Sequence, residues 1–113
     1  IFILNNQYMG MVRQWQELLH EKNYSESYTA ALPDFVKLAE AYGCVGIQAT
    51  KPDELDEKIN EMININEPVI FDCRVDPTEN CFPMIPSGKP HNQMLLGPED
   101  EKEEVSDEGK TLV

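Results

Sequence analysis

Two asparagines offer the first opportunity for chemistry. In ILNNQYMGMVRQWQELL, the apolar run Ile1–Leu4 stops at Asn5 and Asn6, and Gly10 follows at the opening of a helical pattern. An asparagine amide oxygen can face a cation without adding charge, and a backbone carbonyl just beyond it can do the same. Magnesium takes hard oxygen ligands and commonly binds through one or two side chains plus substrate phosphates. Gly10 lets the backbone pass close to a ligand, and the helix after it would aim amide N–H groups and a positive dipole end at an anion. An aspartate from elsewhere would still be needed to balance the charge. The same asparagine pair equally suits a turn and a helix cap. Spacing alone does not separate the two roles.

Other reactive residue types are less organised. Trp15 stands four residues after Met11 on an apolar stripe, which by itself reads as core packing. Met11 and Val12 read the same way, and Ser87 reads as a turn residue. His20 and His91 are far apart and belong to no metal-ligand spacing. Cys44, Cys73 and Cys81 are odd in number and form no CxxC pair, which argues against a disulfide framework or a zinc site. Asp53, Glu54, Asp56 and Glu57 gather where a helix would begin and complement its dipole. No GxSxG, Walker or GxGxxG signature is present.

The elements that must carry these residues follow from periodicity. A strand is expected over 1–5, and a helix over 9–20 with Met11, Trp15 and Leu18 at helical spacing. The polar stretch 21–32 reads as a loop. A second helix is expected over 33–43, with Pro33 in its first turn, Asp34 near its positive end and Gly43 after its end. Residues 44–49 and 68–75 read as strands, and 52–65 as a third helix. Beyond Asp76 four prolines within fourteen residues make the chain irregular. The layout is α/β: a parallel sheet with flanking helices, followed by irregular loop. The first strand is almost wholly apolar, as a doubly covered central strand would be. Nothing ahead of it supplies that cover, so the chain reads as part of something larger.

Bulk properties bound the partners. At 113 residues the chain is one domain at most, with ordinary globular fractions of 41% apolar and 27% charged residues. No apolar run is long enough for a membrane span. The net charge of −12 argues against nucleic acid and anionic membrane as partners, because phosphates would be repelled. Residues 98–113 hold seven acids against two lysines and read as a solvated tail, apart from a domain over 1–97.

The wider wording is more specific than any single motif. ILNNQYMGMVRQWQELL closely resembles the thiamine-diphosphate-binding segment of the acetohydroxyacid synthase (acetolactate synthase) catalytic subunits. The likeness continues through PDFVKLAEAYG, PVIFDCRVD and PMIPSGKPHNQML, and so spans nearly the whole chain. The double asparagine is shared by many thiamine-diphosphate enzymes, whereas GMVRQWQ followed by PMIPSG is far narrower. The resemblance implies the C-terminal part of a pyrophosphate-binding domain, whose Gly-Asp half of the metal site lies before Ile1. It implies that Asn6 gives a side-chain oxygen and Tyr8 a backbone carbonyl to magnesium. Asn6, Gln7, Tyr8, Met9, Gly10 and Met11 would bind the cofactor, Met9 standing where leucine is commoner. Met11, Val12, Trp15, Ser87 and Gly88 would line the substrate channel, with Trp15 favouring the larger second ketoacid and contacting sulfonylurea and imidazolinone herbicides.

The activity implied is condensation of two pyruvates to 2-acetolactate, or of pyruvate with 2-ketobutyrate to 2-aceto-2-hydroxybutyrate, for branched-chain amino acid synthesis. The implied cofactors are thiamine diphosphate, Mg²⁺ and FAD, the last held mostly by regions outside this chain. No catalytic residue falls within it, because the activating glutamate comes from another domain of a neighbouring subunit. The implied partners are 2-ketoacids, further copies of the full subunit and a regulatory small subunit. The location would be cytoplasmic, or a plastid in a plant or alga, and this stretch alone is expected to be inactive. Two rival readings are another thiamine-diphosphate enzyme, of glyoxylate carboligase or pyruvate oxidase type, and a non-catalytic acidic α/β binding module.

Overall fold

The computed structural model describes residues 1–98. The chain falls into two units, Ile1–Tyr8 with Thr29–Thr78, and Met9–Tyr28 with the chain from Glu79 onward. The expected acidic tail over 98–113 lies, beyond Pro98, outside the described residues.

The first unit is organised by a three-stranded sheet of β1 (Phe2–Asn5), β2 (Val45–Ala49) and β3 (Val69–Arg74), in the order β1-β3-β2. Both pairings are parallel, with Phe2 opposite Phe71 and Val45 opposite Val69. The intervening helices return the chain to the starting end of each strand, which is what parallel pairing requires. Side chains alternate across the sheet. Phe71 and Cys73 therefore share one face with Ile47 and Ala49, while Asp72 and Arg74 share the other with Asn5 and Gln48.

Each face has its own helix. On the apolar face, Leu55, Ile59 and Met62 of α3 (Leu55–Asn64) pack on Ile47, Ala49, Phe71 and Cys73. Phe71 is completely buried, and its ring centroid lies 4.6 Å from that of Phe2 in a tilted arrangement. Burying such a ring contributes about 1.5–3 kcal/mol. On the other face lies α2 (Phe35–Ala41), packed closely on β2. Gly46 permits that approach, since a Cβ there would meet Val36 Cα at 2.7 Å. Cys73 is a small core residue, whereas Cys44 is only half-buried.

Two local expectations change in detail. Pro33 does not sit in the first turn of α2, because Asp34 is its N-cap and accepts the Lys37 N–H at 3.1 Å. That bond holds the Asp34 carboxyl below the ordinary aspartate range. The expected helix over 52–65 opens as a 3-10 turn, Pro52–Glu54, and becomes α-helical at Leu55. Within the described residues β3 stands between β1 and β2, and Leu4 on β1 is 69% exposed. An apolar run records that cover is available for a strand in its working setting; it does not say which strand stands in the middle.

The second unit contains α1 (Gly10–Leu19) and the irregular segment from Glu79. In that segment, Met84 and Leu95 form an isolated antiparallel bridge, and His91–Gln93 makes a 3-10 turn. The Phe82–Pro83 peptide is cis. Irregular chain was expected here, and proline explains it by removing backbone donors.

Candidate thiamine-diphosphate site

In the first unit, the carboxyl end of β1 runs into two successive asparagine turns. The Asn5 side-chain oxygen accepts the Gln7 N–H at 3.1 Å, and the Asn6 side-chain oxygen accepts the Tyr8 N–H at 3.1 Å. Between them Gln7 adopts φ +65°, the left-handed region that costs a side-chain-bearing residue about 1–2 kcal/mol. Its carbonyl accepts the Thr29 N–H at 2.9 Å. The two asparagines therefore turn the chain, as their residue type allows. A small cavity of ≈ 130 Å³ opens beside them, lined by Asn5, Asn6, Gln7 and Tyr8 with Thr29 and Phe35 among others.

The asparagines are not equivalent. Asn5 is buried, and its amide nitrogen is committed to Asp72 Oδ1 at 2.7 Å. Asn6 is half-buried, and its side-chain oxygen carries a single backbone donor. A carbonyl oxygen has two lone pairs, so a cation can still approach Asn6 without breaking the turn. The donor set suits magnesium: a neutral amide oxygen and, at Tyr8, a carbonyl oxygen. Among the described residues no group of three or more His, Cys, Asp or Glu could hold a metal ion. Asn6 and Tyr8 would supply two oxygens to an octahedral site.

The second unit holds the remaining candidates. Met9 is the N-cap of α1 and Gly10 its first residue. The apolar stripe of α1 is open, with Met11 51%, Val12 42% and Trp15 39% exposed. These three residues, with Leu19, Gln16 and His20, line an open cavity of ≈ 880 Å³. Ser87 and Gly88 are not among its walls. They are the two central residues of a turn closed by Lys89 N–H to Pro86 O at 3.1 Å. Gly88 has φ +77°, as the third position of a type II turn demands.

What α1 buries is polar, and periodicity did not point to it. Arg13 and Gln14 are each 2% exposed. Gln14 clamps one residue of the irregular segment at both ends: its Nε2 donates to Cys81 O at 3.0 Å and its Oε1 accepts from Cys81 N at 2.8 Å. Arg13 forms an ion pair with Glu17 and donates to the Asn80 side chain. The segment leading to Ser87 and Gly88 has few ladder partners, so these side chains satisfy its backbone instead. The available signal was the Arg-Gln pair inside GMVRQWQ facing a proline-rich stretch with unpaired backbone. Gln14→Leu is expected to destabilise the fold by about 1–3 kcal/mol, because both Cys81 backbone groups lose their partner. A lowered denaturation midpoint together with faster hydrogen exchange at the Cys81 amide would be the result; normal protection there would refute the clamp.

Comparison with known proteins identifies the family of the fold. Residues 1–73 match the family described as thiamine pyrophosphate enzyme, C-terminal TPP binding domain. The chain is 48% identical over 96 residues to the acetolactate synthase large subunit of Cyanidium caldarium, covering 84% of this chain and 16% of that protein. It is 44% identical over 103 residues to the Haemophilus influenzae acetolactate synthase large subunit, covering 90% and 18%. It is 46% identical over 96 residues to the isozyme 3 large subunit of Escherichia coli, covering 82% and 17%. The chain thus spans between 16% and 18% of the length of these relatives. The parallel sheet, the asparagine turns at the end of β1 and the match over residues 1–73 together place the chain in the C-terminal TPP binding domain family of thiamine pyrophosphate enzymes.

Proposed function

We propose that this chain serves as the C-terminal cofactor-binding part of an acetolactate synthase large subunit. The complete protein would condense two pyruvates to 2-acetolactate with loss of carbon dioxide, or pyruvate with 2-ketobutyrate to 2-aceto-2-hydroxybutyrate. One observation carries the reading. Similarity to acetolactate synthase large subunits covers 82–90% of the chain, and so runs beyond residue 73, where the family match ends, into the segment containing Ser87 and Gly88.

Thiamine diphosphate, when bound, supplies the electron sink for the reaction, and the protein supplies orientation and polarity. Asn6 would give its side-chain oxygen to Mg²⁺ and Tyr8 its carbonyl, while the stretch Asn6–Met11, Gln7, Met9 and Gly10 included, would bind the cofactor. Met11, Val12 and Trp15 would form an apolar wall of the ketoacid channel, with Ser87 and Gly88 at its entrance. In this chain Met11, Val12 and Trp15 line one open cavity, as a channel wall would. FAD, a regulatory small subunit, further copies of the subunit and a cytoplasmic or plastid location belong to the same proposal. No helix among the described residues is long and apolar enough to cross a membrane.

The test is to express the complete subunit and assay it with pyruvate, thiamine diphosphate, Mg²⁺ and FAD. Acetolactate is the expected product. Acetyl phosphate from pyruvate, or tartronate semialdehyde from glyoxylate, without acetolactate would replace the reading by another thiamine-diphosphate enzyme. The stretch 1–113 by itself is expected to form no acetolactate under the same conditions.

A further inference from the structure

A buried carboxylate lies behind the asparagine turns. Asp72 is fully buried on the central strand β3, where an unpartnered charge would be strongly destabilising. Three donors meet it. Its Oδ1 accepts from Asn5 Nδ2 at 2.7 Å, and its Oδ2 accepts from Gln48 Nε2 at 2.9 Å and Arg74 Nε at 3.1 Å. Gln48 is its register partner on β2. Ile3 is its partner on β1, and Asn5 stands two residues further along the same face. One side chain on the middle strand thereby ties both neighbouring strands at their carboxyl ends.

The chemistry of Asp72 dictates the orientation of Asn5. An ionised carboxylate only accepts hydrogen bonds, so the Asn5 amide must turn its nitrogen inward. Its oxygen is then left facing the Gln7 N–H, which it accepts at 3.1 Å. That bond and the Thr29 N–H on the Gln7 carbonyl hold Gln7 in its left-handed conformation. Gln7 separates Asn6 from Tyr8, so its backbone angles set where the Asn6 side chain and the Tyr8 carbonyl point. An inverted Asn5 amide would set a donor against the Gln7 N–H and release the turn.

We infer that Asp72 is a positioning residue for cation binding: through Asn5, it fixes the loop that presents the oxygens of Asn6 and Tyr8. This rests on the reading of Asn6 and Tyr8 as magnesium ligands. Asp72→Asn preserves shape but offers an NH₂ group to a site that holds only donors. Groups that orient metal ligands typically change metal affinity by roughly 10–100-fold when altered.

The experiment uses the complete subunit and titrates Mg²⁺ at fixed thiamine diphosphate without ketoacid, reading cofactor binding by quenching of tryptophan fluorescence. Asp72→Asn should raise the apparent Mg²⁺ constant at least roughly tenfold. Phe71→Leu, a neighbouring core change, should lower the melting temperature and leave that constant unaltered. Asn5→Ala breaks the same link and keeps Asp72 with its other two donors, so it serves where Asp72→Asn fails to fold. If Asp72 acts through Asn5, the double variant binds Mg²⁺ no worse than Asn5→Ala alone. Losses that multiply, or an unchanged constant in both single variants, overturn the positioning role. Asn6→Ala is titrated in parallel: if it too leaves the constant unchanged, the reading of the cation ligands falls first.

Discussion

Asn6→Ala in the complete large subunit is expected to raise the apparent Mg²⁺ constant by at least roughly tenfold, because even outer groups around a metal site contribute that much. On the proposed reading the substitution would remove a neutral hard oxygen from the Mg²⁺ site, so the apparent thiamine-diphosphate constant should rise with it. It also removes the turn bond to the Tyr8 N–H, at 3.1 Å. Loss of that bond costs about 0.5–1.5 kcal/mol and would lower the melting temperature of the apoprotein. Asn6→Asp separates the two effects. It keeps an acceptor for Tyr8, so the turn and the melting temperature should hold. It also places a negative charge close to the diphosphate oxygens, so cofactor affinity should change while stability does not. A capping role alone predicts the opposite pattern: Asn6→Ala less stable with unchanged constants, and Asn6→Asp like the parent. Cofactor titrations beside melting curves for both variants decide between them.

How far this site was legible depends on which physical level each feature belongs to. The β3 strand was readable because Val69, Phe71 and Cys73 alternate with Ile70, Asp72 and Arg74, and period two belongs to the strand itself. That β3 stands between β1 and β2 was not readable in the same way. Strand order depends on which distant segments pair, and Ile1–Leu4 is equally apolar at the edge or in the middle. The periodicity of α1 grouped Met11 with Trp15, and both line the same cavity. It could not say whether that stripe or the Arg13–Gln14 side meets protein. The polar side is buried here because Cys81 needs hydrogen-bond partners that no strand supplies. Asp72 was hidden for a related reason. Inside VIFDCR it reads as an outward residue of a half-exposed strand, and only α2 on that face and the amides of Asn5 and Gln48 make it a buried hub. The double asparagine was legible as a turn or ligand pair. The division of labour, Asn5 holding the turn and Asn6 keeping an open lone pair, required the sheet.

Trp15→Leu is expected to reduce the preference for 2-ketobutyrate over pyruvate as second substrate by roughly tenfold or more, since one methylene in a fitted apolar pocket is worth about 1–3 kcal/mol. Exposure makes this outcome more demanding of Trp15 than its periodicity did. The indole is 39% exposed and borders an open cavity of ≈ 880 Å³ with Met11 and Val12. Within this chain the side chain lacks part of the burial that makes core truncation costly. Reshaping at this position should therefore lower stability by only about 1 kcal/mol, the small end of the range for apolar side chains. A wall residue loses something else. Leucine fills less of the cavity, so the ethyl group of 2-ketobutyrate meets fewer atoms than it does beside indole, and the advantage of the larger ketoacid shrinks. Flat aromatic inhibitors should lose affinity in the same variant, because leucine offers no ring face for stacking. The measurement is competition between the two ketoacids in the complete enzyme, scored by the ratio of acetolactate to 2-aceto-2-hydroxybutyrate, beside a melting curve. A falling ratio of the larger product with a nearly constant melting temperature assigns Trp15 to the channel. The reverse, an unchanged ratio and a sharply lower melting temperature, would mean that this open face of α1 is covered by protein in the complete enzyme and that the indole packs there as core.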